Sequence, residues 1–181
     1  AEYCGGIGLK GETVILEAFF EVLKGVAHMH TCNPPVAHRD IKPENVLRSE
    51  KTRKWKLCDF GSATTKVSRP QNEAERQGVT ADIERNTTPT YRAPEMIDLY
   101  RGQVICEKVD IWALGCTLYR MAFGKEAFME GTLQILNNKV IIPKQSPFSS
   151  GFHDLIKFML NSDPEQRPHA GIVLEHVAQM L

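Results

Sequence analysis

Four polar side chains in two short runs carry the chemistry that this sequence offers. Asp40, Lys42 and Asn45 fall within His38-Arg39-Asp40-Ile41-Lys42-Pro43-Glu44-Asn45, and Asp59 opens Asp59-Phe60-Gly61, 14 residues after Asn45. Asp40 offers a carboxylate able to accept the proton of an attacking hydroxyl. Lys42 offers a compact positive charge for a transferring phosphoryl group. Asn45 and Asp59 offer hard oxygen ligands of the kind that Mg²⁺ takes alongside its waters. A base, a cation and two metal donors are the parts that phosphoryl transfer needs, since positioning and electrostatics carry most of that catalysis. Read instead as loop caps and turn formers, the same residues would have no reason to keep this spacing.

Elements on either side must hold these residues in place. Residues 12–31 read as a long helix, with Leu16, Phe19, Leu23, Val26 and His30 at helical spacing and Ile15, Phe20 and Ala27 widening the stripe. Asn33-Pro34-Pro35 ends it. Val46-Leu47 and Trp55-Lys56-Leu57-Cys58 read as two short strands joined by a polar turn over 49–53, a hairpin with Asn45 before it and Asp59 after it. The polar stretch 62–90 reads as a mobile loop. Residues 108–123 form an apolar helix around Ile111, Trp112, Leu114, Leu118 and Met121, and further helices are expected near 130–138, 151–161 and 168–180. Helix dominates, and the strands are few and short.

Two patterns are decoys. Gly6-Ile7-Gly8-Leu9-Lys10-Gly11 spells a nucleotide-loop pattern, but only five residues precede it and no strand leads into it, so it reads as a flexible lead into the first helix. His28-x-His30-x-Cys32 has ligand types at a spacing that does not share a helix face, so it reads as a packed helix end.

Composition excludes several classes. The 181 residues suit one domain with a real core, and 42% apolar with 24% charged residues is ordinary for a soluble globular chain. Formal net charge is zero, so nothing in the charge balance favours nucleic acid or an acidic membrane surface as a partner. No apolar run reaches the roughly 20 residues of a membrane span. Cys4, Cys32, Cys58, Cys106 and Cys116 are odd in number and scattered without a C-x-x-C pair, which favours reduced thiols and a cytoplasmic location. Cys58 has no evident base partner, so it reads as a small buried residue and not as a nucleophile.

With Ala93-Pro94-Glu95 following in order, the two runs resemble the catalytic loop, metal-binding tripeptide and activation-segment end of eukaryotic protein kinases, and the resemblance covers essentially the whole chain. It implies a mainly α fold: the large C-terminal lobe of a kinase, with a short β-hairpin at the active site. The small β-rich lobe is expected to be missing, because Ala1-Glu2-Tyr3-Cys4 resembles the hinge between lobes. The chain 1–181 would then be a partial kinase domain, hinge plus C-terminal lobe, with 59–95 as its activation segment. Lys42 in H-R-D-x-K-x-x-N points to the serine/threonine branch.

The resemblance also implies roles and cofactors. Asp40, Lys42 and Asn45 would be catalytic, and Asn45 and Asp59 would bind Mg²⁺. ATP would be held by backbone groups of Glu2 and Cys4, by Leu47 under the adenine, and by Cys58 and Asp59. Thr88 would contact Asp40 and Lys42. Arg39 would bind a phosphorylated activation-segment residue, with Thr80, Thr87 and Thr90 as candidates, or act as a purely structural arginine. Glu95 and Arg167 would form a buried pair, and Asp110 would brace the catalytic loop.

A narrower resemblance lies in Leu57–Thr65 and Glu84–Tyr100, which are similar to the Numb-associated kinases, the adaptor-associated and cyclin-G-associated kinases among them. It implies an extra helix at Met96–Tyr100, protein substrates among clathrin-adaptor subunits, and a peripheral place at endocytic membranes. Two functions fit: an ATP-dependent protein serine/threonine kinase whose isolated large lobe is inactive, or a truncated, non-catalytic interaction module. Oligomeric state is not legible.

Overall fold

The helix Lys108–Phe123 is buried at every residue from Val109 to Tyr119. A helix apolar all round belongs at the centre of a core, and the rest of the chain is built on this one. The structure, a computed structural model, describes residues 2–3 (backbone only), 9–129 and 131–181. In chain order its elements are β1 (Glu2–Tyr3), α1 (Glu12–His30), β2 (Val46–Arg48), β3 (Trp55–Leu57), α2 (Glu73–Asn86), α3 (Pro94–Ile97), α4 (Lys108–Phe123), α5 (Thr132–Leu136), α6 (Ser150–Met159) and α7 (Ala170–Met180). It is the mainly helical architecture expected, with short strands only.

The core helix α4 packs against α1 and α6, and α1 also packs along α7. From α1 come Ile15, Leu16, Phe19, Val22, Leu23 and Val26, one face at helical spacing; from α7 come Ala170, Val173 and Val177. The α4–α6 crossing is tight: a Cβ on Gly115 would lie 2.8 Å from Cδ2 of Leu160, just past α6. Gly124 closes α4 with φ 67°, its N–H donating to the Arg120 carbonyl at 2.9 Å. The start of α1 is tied to the start of α6, since the Ser149 N–H and Oγ each donate to the Glu12 carboxylate at 2.6 Å.

The three strands form one antiparallel sheet in the order β1-β2-β3, with Tyr3 opposite Leu47 and Leu47 opposite Lys56. The hairpin expected over 46–58 is therefore present, and β1 adds a third strand on the far side of β2. The expected helices after α4 are also present, with α5 shorter than 130–138.

One expectation fails. The stretch 62–90 is not a structureless loop, because it contains the 14-residue helix α2. Asn72 caps it: its Oδ1 accepts from the Glu75 N–H at 3.0 Å, while the Glu75 carboxylate accepts from Gln71 N–H and Asn72 Nδ2. Ile83 is its one buried residue, so no apolar stripe announces it in the sequence. The extra helix expected at Met96–Tyr100 is broken at Asp98 into α3 and a 3-10 turn over Leu99–Arg101. Among the described residues, no helix is long and apolar enough to cross a membrane.

Candidate active site

The segment carrying Asp40 runs between α1 and β2 and is fixed from the core outward. Asp110, fully buried on α4, accepts from the backbone N–H of His38 (2.7 Å) and Arg39 (2.8 Å), and its Oδ2 lies 3.0 Å from His30 Nε2. These bonds hold Arg39 at φ 69°, a left-handed conformation that costs a non-glycine residue about 1 kcal/mol or more. His38, also fully buried, places Nε2 at 3.1 Å from the Cys58 carbonyl, while its Nδ1 accepts from the Asp40 N–H at 3.3 Å. That pattern requires the neutral tautomer protonated on Nε2. Ala37 and Thr64 exchange backbone hydrogen bonds at 2.8 and 2.9 Å, pinning the loop to the chain that follows Asp59.

Around Asp40 the expected side chains meet. Its Oδ1 accepts from Thr88 Oγ1 at 2.6 Å, and its Oδ2 lies 2.8 Å from Lys42 Nζ and accepts from Asn45 Nδ2 at 3.1 Å. Lys42 Nζ also donates to Thr88 Oγ1 at 2.8 Å, closing a triangle of Asp40, Lys42 and Thr88. A carboxylate offers about four lone-pair positions, so these three partners leave one, on Oδ1 beside Thr88. An incoming hydroxyl can donate there. A 3-10 turn over Pro43–Asn45, started by a proline whose φ suits it, delivers Asn45 to the head of β2. Asn45 Nδ2 donates again, to the Asp40 carbonyl at 2.8 Å, which directs the amide nitrogen to Asp40 and leaves the amide oxygen for other partners.

Asp59 stands two residues beyond β3, exposed, in a left-handed conformation with φ 62°, and its Oδ1 accepts from the Gly61 N–H at 3.3 Å. Its carboxylate and the Asn45 amide oxygen are both hard donors, a set that fits Mg²⁺ because that ion keeps several of its waters. Cys58, between strand and Asp59, donates from Sγ to the Asn45 carbonyl at 3.2 Å. Burial, and then the charge of Asp59, pushes its thiol above the ordinary value, as befits a packing residue and not a nucleophile. Leu47 is half-buried in β2, and Phe60 is exposed beside His38, with ring centroids 5.0 Å apart. Glu2 is described only as backbone in β1, and Cys4 and the first half of the Gly6–Gly11 run, Gly6 to Gly8, lie outside the described residues.

Glu95 and Arg167 pair face to face at 2.7 and 2.9 Å, both buried. Arg167 also donates to the carbonyls of Asn161 and Lys108, each at 2.9 Å, and lies 5.4 Å from the Trp112 ring centroid. The His28-x-His30-x-Cys32 run is not a metal centre: His30 is engaged by Asp110, and Cys32 Sγ lies 3.4 Å from the His28 carbonyl. Among the described residues, no group of three or more His, Cys, Asp or Glu is placed to hold a metal ion.

Arg39 donates from Nε to the Ser62 carbonyl (2.7 Å) and from Nη1 to Asp82 Oδ2 (2.5 Å). Asp82 is the residue that sequence reasoning missed. It lies 43 positions away, on a helix with no periodic signal.

The family model described as protein kinase domain matches residues 7–178. A probable serine/threonine-protein kinase of Dictyostelium discoideum is 47% identical over 191 aligned positions, covering 99% of this chain and 24% of that protein. A second from the same organism is 49% identical over 156, covering 86% of this chain and 14% of that protein. Actin-regulating kinase 1 of Saccharomyces cerevisiae is 44% identical over 170, covering 93% and 26%. The chain thus spans about a quarter or less of the length of these curated relatives.

Proposed function

The chain belongs to the protein kinase domain family, and from that premise we propose that it is the large lobe of an enzyme transferring the γ-phosphoryl group of ATP to serine or threonine hydroxyls of proteins. The observation that carries this reading is the closed triangle of Asp40, Lys42 and Thr88, with Asn45 bonded to the same carboxylate. A lobe kept only as an interaction module has no need of it.

Bound Mg²⁺–ATP supplies the phosphoryl group and the metal charge that neutralises its oxygens. The chain's own residues do the rest. Asn45 and Asp59 would hold the metal, with Asp59 as the principal anchor. By the family resemblance, backbone groups of Glu2 and Cys4 would meet the adenine edge, with Leu47 under the ring and Cys58 lining the pocket. The substrate hydroxyl would donate to the remaining acceptor position of Asp40 Oδ1, which orients its oxygen for in-line attack and takes the proton as the bond to the γ-phosphorus forms and the bond to the departing ADP oxygen breaks. Lys42, already 2.8 Å from Asp40, brings positive charge to the transferring group. Thr88 holds both side chains in register and ties them to the activation segment, 59–95.

The narrower resemblance to the Numb-associated kinases supports clathrin-adaptor subunits as substrates and a cytoplasmic enzyme acting at endocytic membranes. A yeast relative whose name ascribes actin regulation to it is compatible with that setting. The test is phosphate transfer by the full-length protein to a panel that includes purified adaptor subunits, with Asp40→Asn alongside. Asp40→Asn is expected to abolish transfer while nucleotide affinity stays within about twofold, because Asp40 touches the hydroxyl and not the nucleotide. Affinity falling in step with turnover would refute that role.

A further inference from the structure

We propose that the cleft of about 390 Å³ between α1 and the β2–β3 hairpin is a docking site for a protein partner, taking a short peptide segment that carries an Asp or Glu side chain together with an apolar one. The proposal lies outside the site built on Asp40 and does not rest on the kinase reading.

The hairpin is strongly basic in a chain of zero net charge: Arg48 to Lys56 holds five cations and one acid. Arg48 stands opposite Trp55 in the ladder and Lys56 opposite Leu47, so Arg48 shares the face of buried Trp55, which packs on α1, while Lys56 points to the other side. The Trp55 N–H donates to the Glu21 carboxylate at 2.7 Å, which seats the hairpin on α1 and occupies that acid. Arg48 lies over the Trp55 ring, 5.8 Å from its centroid, and its Nε donates to the Arg53 carbonyl at 3.0 Å. Two arginines are thereby held together at the cleft. Among the described residues, neither they nor Lys24, the third cation of the cleft, form an ion pair. The Nη groups of Arg48 are a fork suited to a carboxylate.

Arg53 adds a second sign. Its φ of 59° is left-handed, a conformation in which a Cβ is unfavourable and glycine sits at ease. Strain of this kind persists where the side chain is needed. The other end of the cleft is apolar. Val14, 44% exposed, lies seven residues before Glu21, about 10 Å along α1, and Phe20 is half-buried between them. Glu17, exposed on the same wall, repels an acid at that end, so the anion belongs at the hairpin and the apolar side chain beside Val14. A flat anionic membrane would meet Lys51 and Lys54, which are exposed on the turn, before part-buried Arg48. A peptide can enter the concavity.

The probe is a set of synthetic peptides pairing Asp or Glu with Leu or Phe at varied spacing, titrated by fluorescence anisotropy against the full-length protein, with phosphatidylserine vesicles alongside. Replacing the acid of a bound peptide by its amide, or its Leu or Phe by Ala, should each weaken binding about tenfold. Arg48→Gln and Arg53→Gly should each do the same, and Lys125→Gln, outside the cleft, should not. Arg53→Gly should melt no lower than the wild type, because it relieves the left-handed strain, and this separates lost binding from lost folding. Binding should also weaken as salt is raised. The proposal is overturned if no peptide binds, if vesicles bind and peptides do not, or if binding survives both arginine substitutions or the loss of the apolar side chain.

Discussion

Removing Glu95 is expected to be the most damaging single substitution outside the catalytic loop. Arg167 makes four hydrogen bonds inside the core: two to the Glu95 carboxylate and one each to the Asn161 and Lys108 carbonyls. In Glu95→Ala the two carbonyl bonds survive, but the guanidinium keeps a full charge with no counter-ion in a site closed to water. Breaking one side of such a pair costs about 3–5 kcal/mol. In a domain of this size each kcal/mol moves the midpoint by about 2–4 °C, so the melting temperature should fall by about 6–20 °C. Trp112, one of only two tryptophans, lies 5.4 Å from the guanidinium, so its fluorescence reads unfolding at the lesion. Glu95→Leu combined with Arg167→Met should recover much of the loss, because an apolar pair of similar volume leaves no charge behind. A single-substitution cost below about 1 kcal/mol would refute the reasoning, since it would mean that water reaches Arg167 or that the guanidinium finds another anion. A double variant no better than Glu95→Ala would refute it from the other side.

Two further outcomes follow from the site. Asp59→Ala should abolish the dependence of nucleotide binding on Mg²⁺, read by titrating ATP with and without the metal; an unchanged metal dependence would remove Asp59 from its role. A polypeptide of these 181 residues assayed alone is expected to transfer no phosphate, because transfer also needs a glycine-rich cover over the phosphates and a lysine–glutamate pair. Transfer that disappears in an Asp40→Asn control would refute this and return attention to Gly6–Gly11.

The parts of this fold that could be read in advance are those whose signal is local. Helices α1 and α4 bury residues at helical spacing or all round, and periodicity finds both. Asp40, Lys42, Asn45 and Asp59 stand in two short runs bracketing a hairpin, so their meeting needs little long-range folding. Helix α2 escapes because it gives the core only Ile83. Its one local mark was the cap pattern Asn72-x-x-Glu75, two polar residues in a polar stretch. Asp110 and the Glu95–Arg167 pair were legible through family resemblance alone, since their partners lie 71 and 72 positions apart in the chain. Asp82 had no signal of any kind: its role depends on a helix that periodicity does not show.

The two braces on Asp40 differ in kind. One comes from the core: Asp110, fully buried on α4, holds the backbone of His38 and Arg39, and buried His38 accepts from the Asp40 N–H. Loosening it means disturbing a helix buried over eleven consecutive residues, which approaches unfolding the domain. The other comes from the surface: α2, with one buried residue and one part-exposed ion pair to Arg39, sets Thr88 against the Asp40 carboxylate. A part-exposed pair of this sort opens at a cost far below that of unfolding the domain. The core brace therefore fixes where Asp40 is. The surface brace fixes where the Thr88 hydroxyl meets the Asp40 carboxylate.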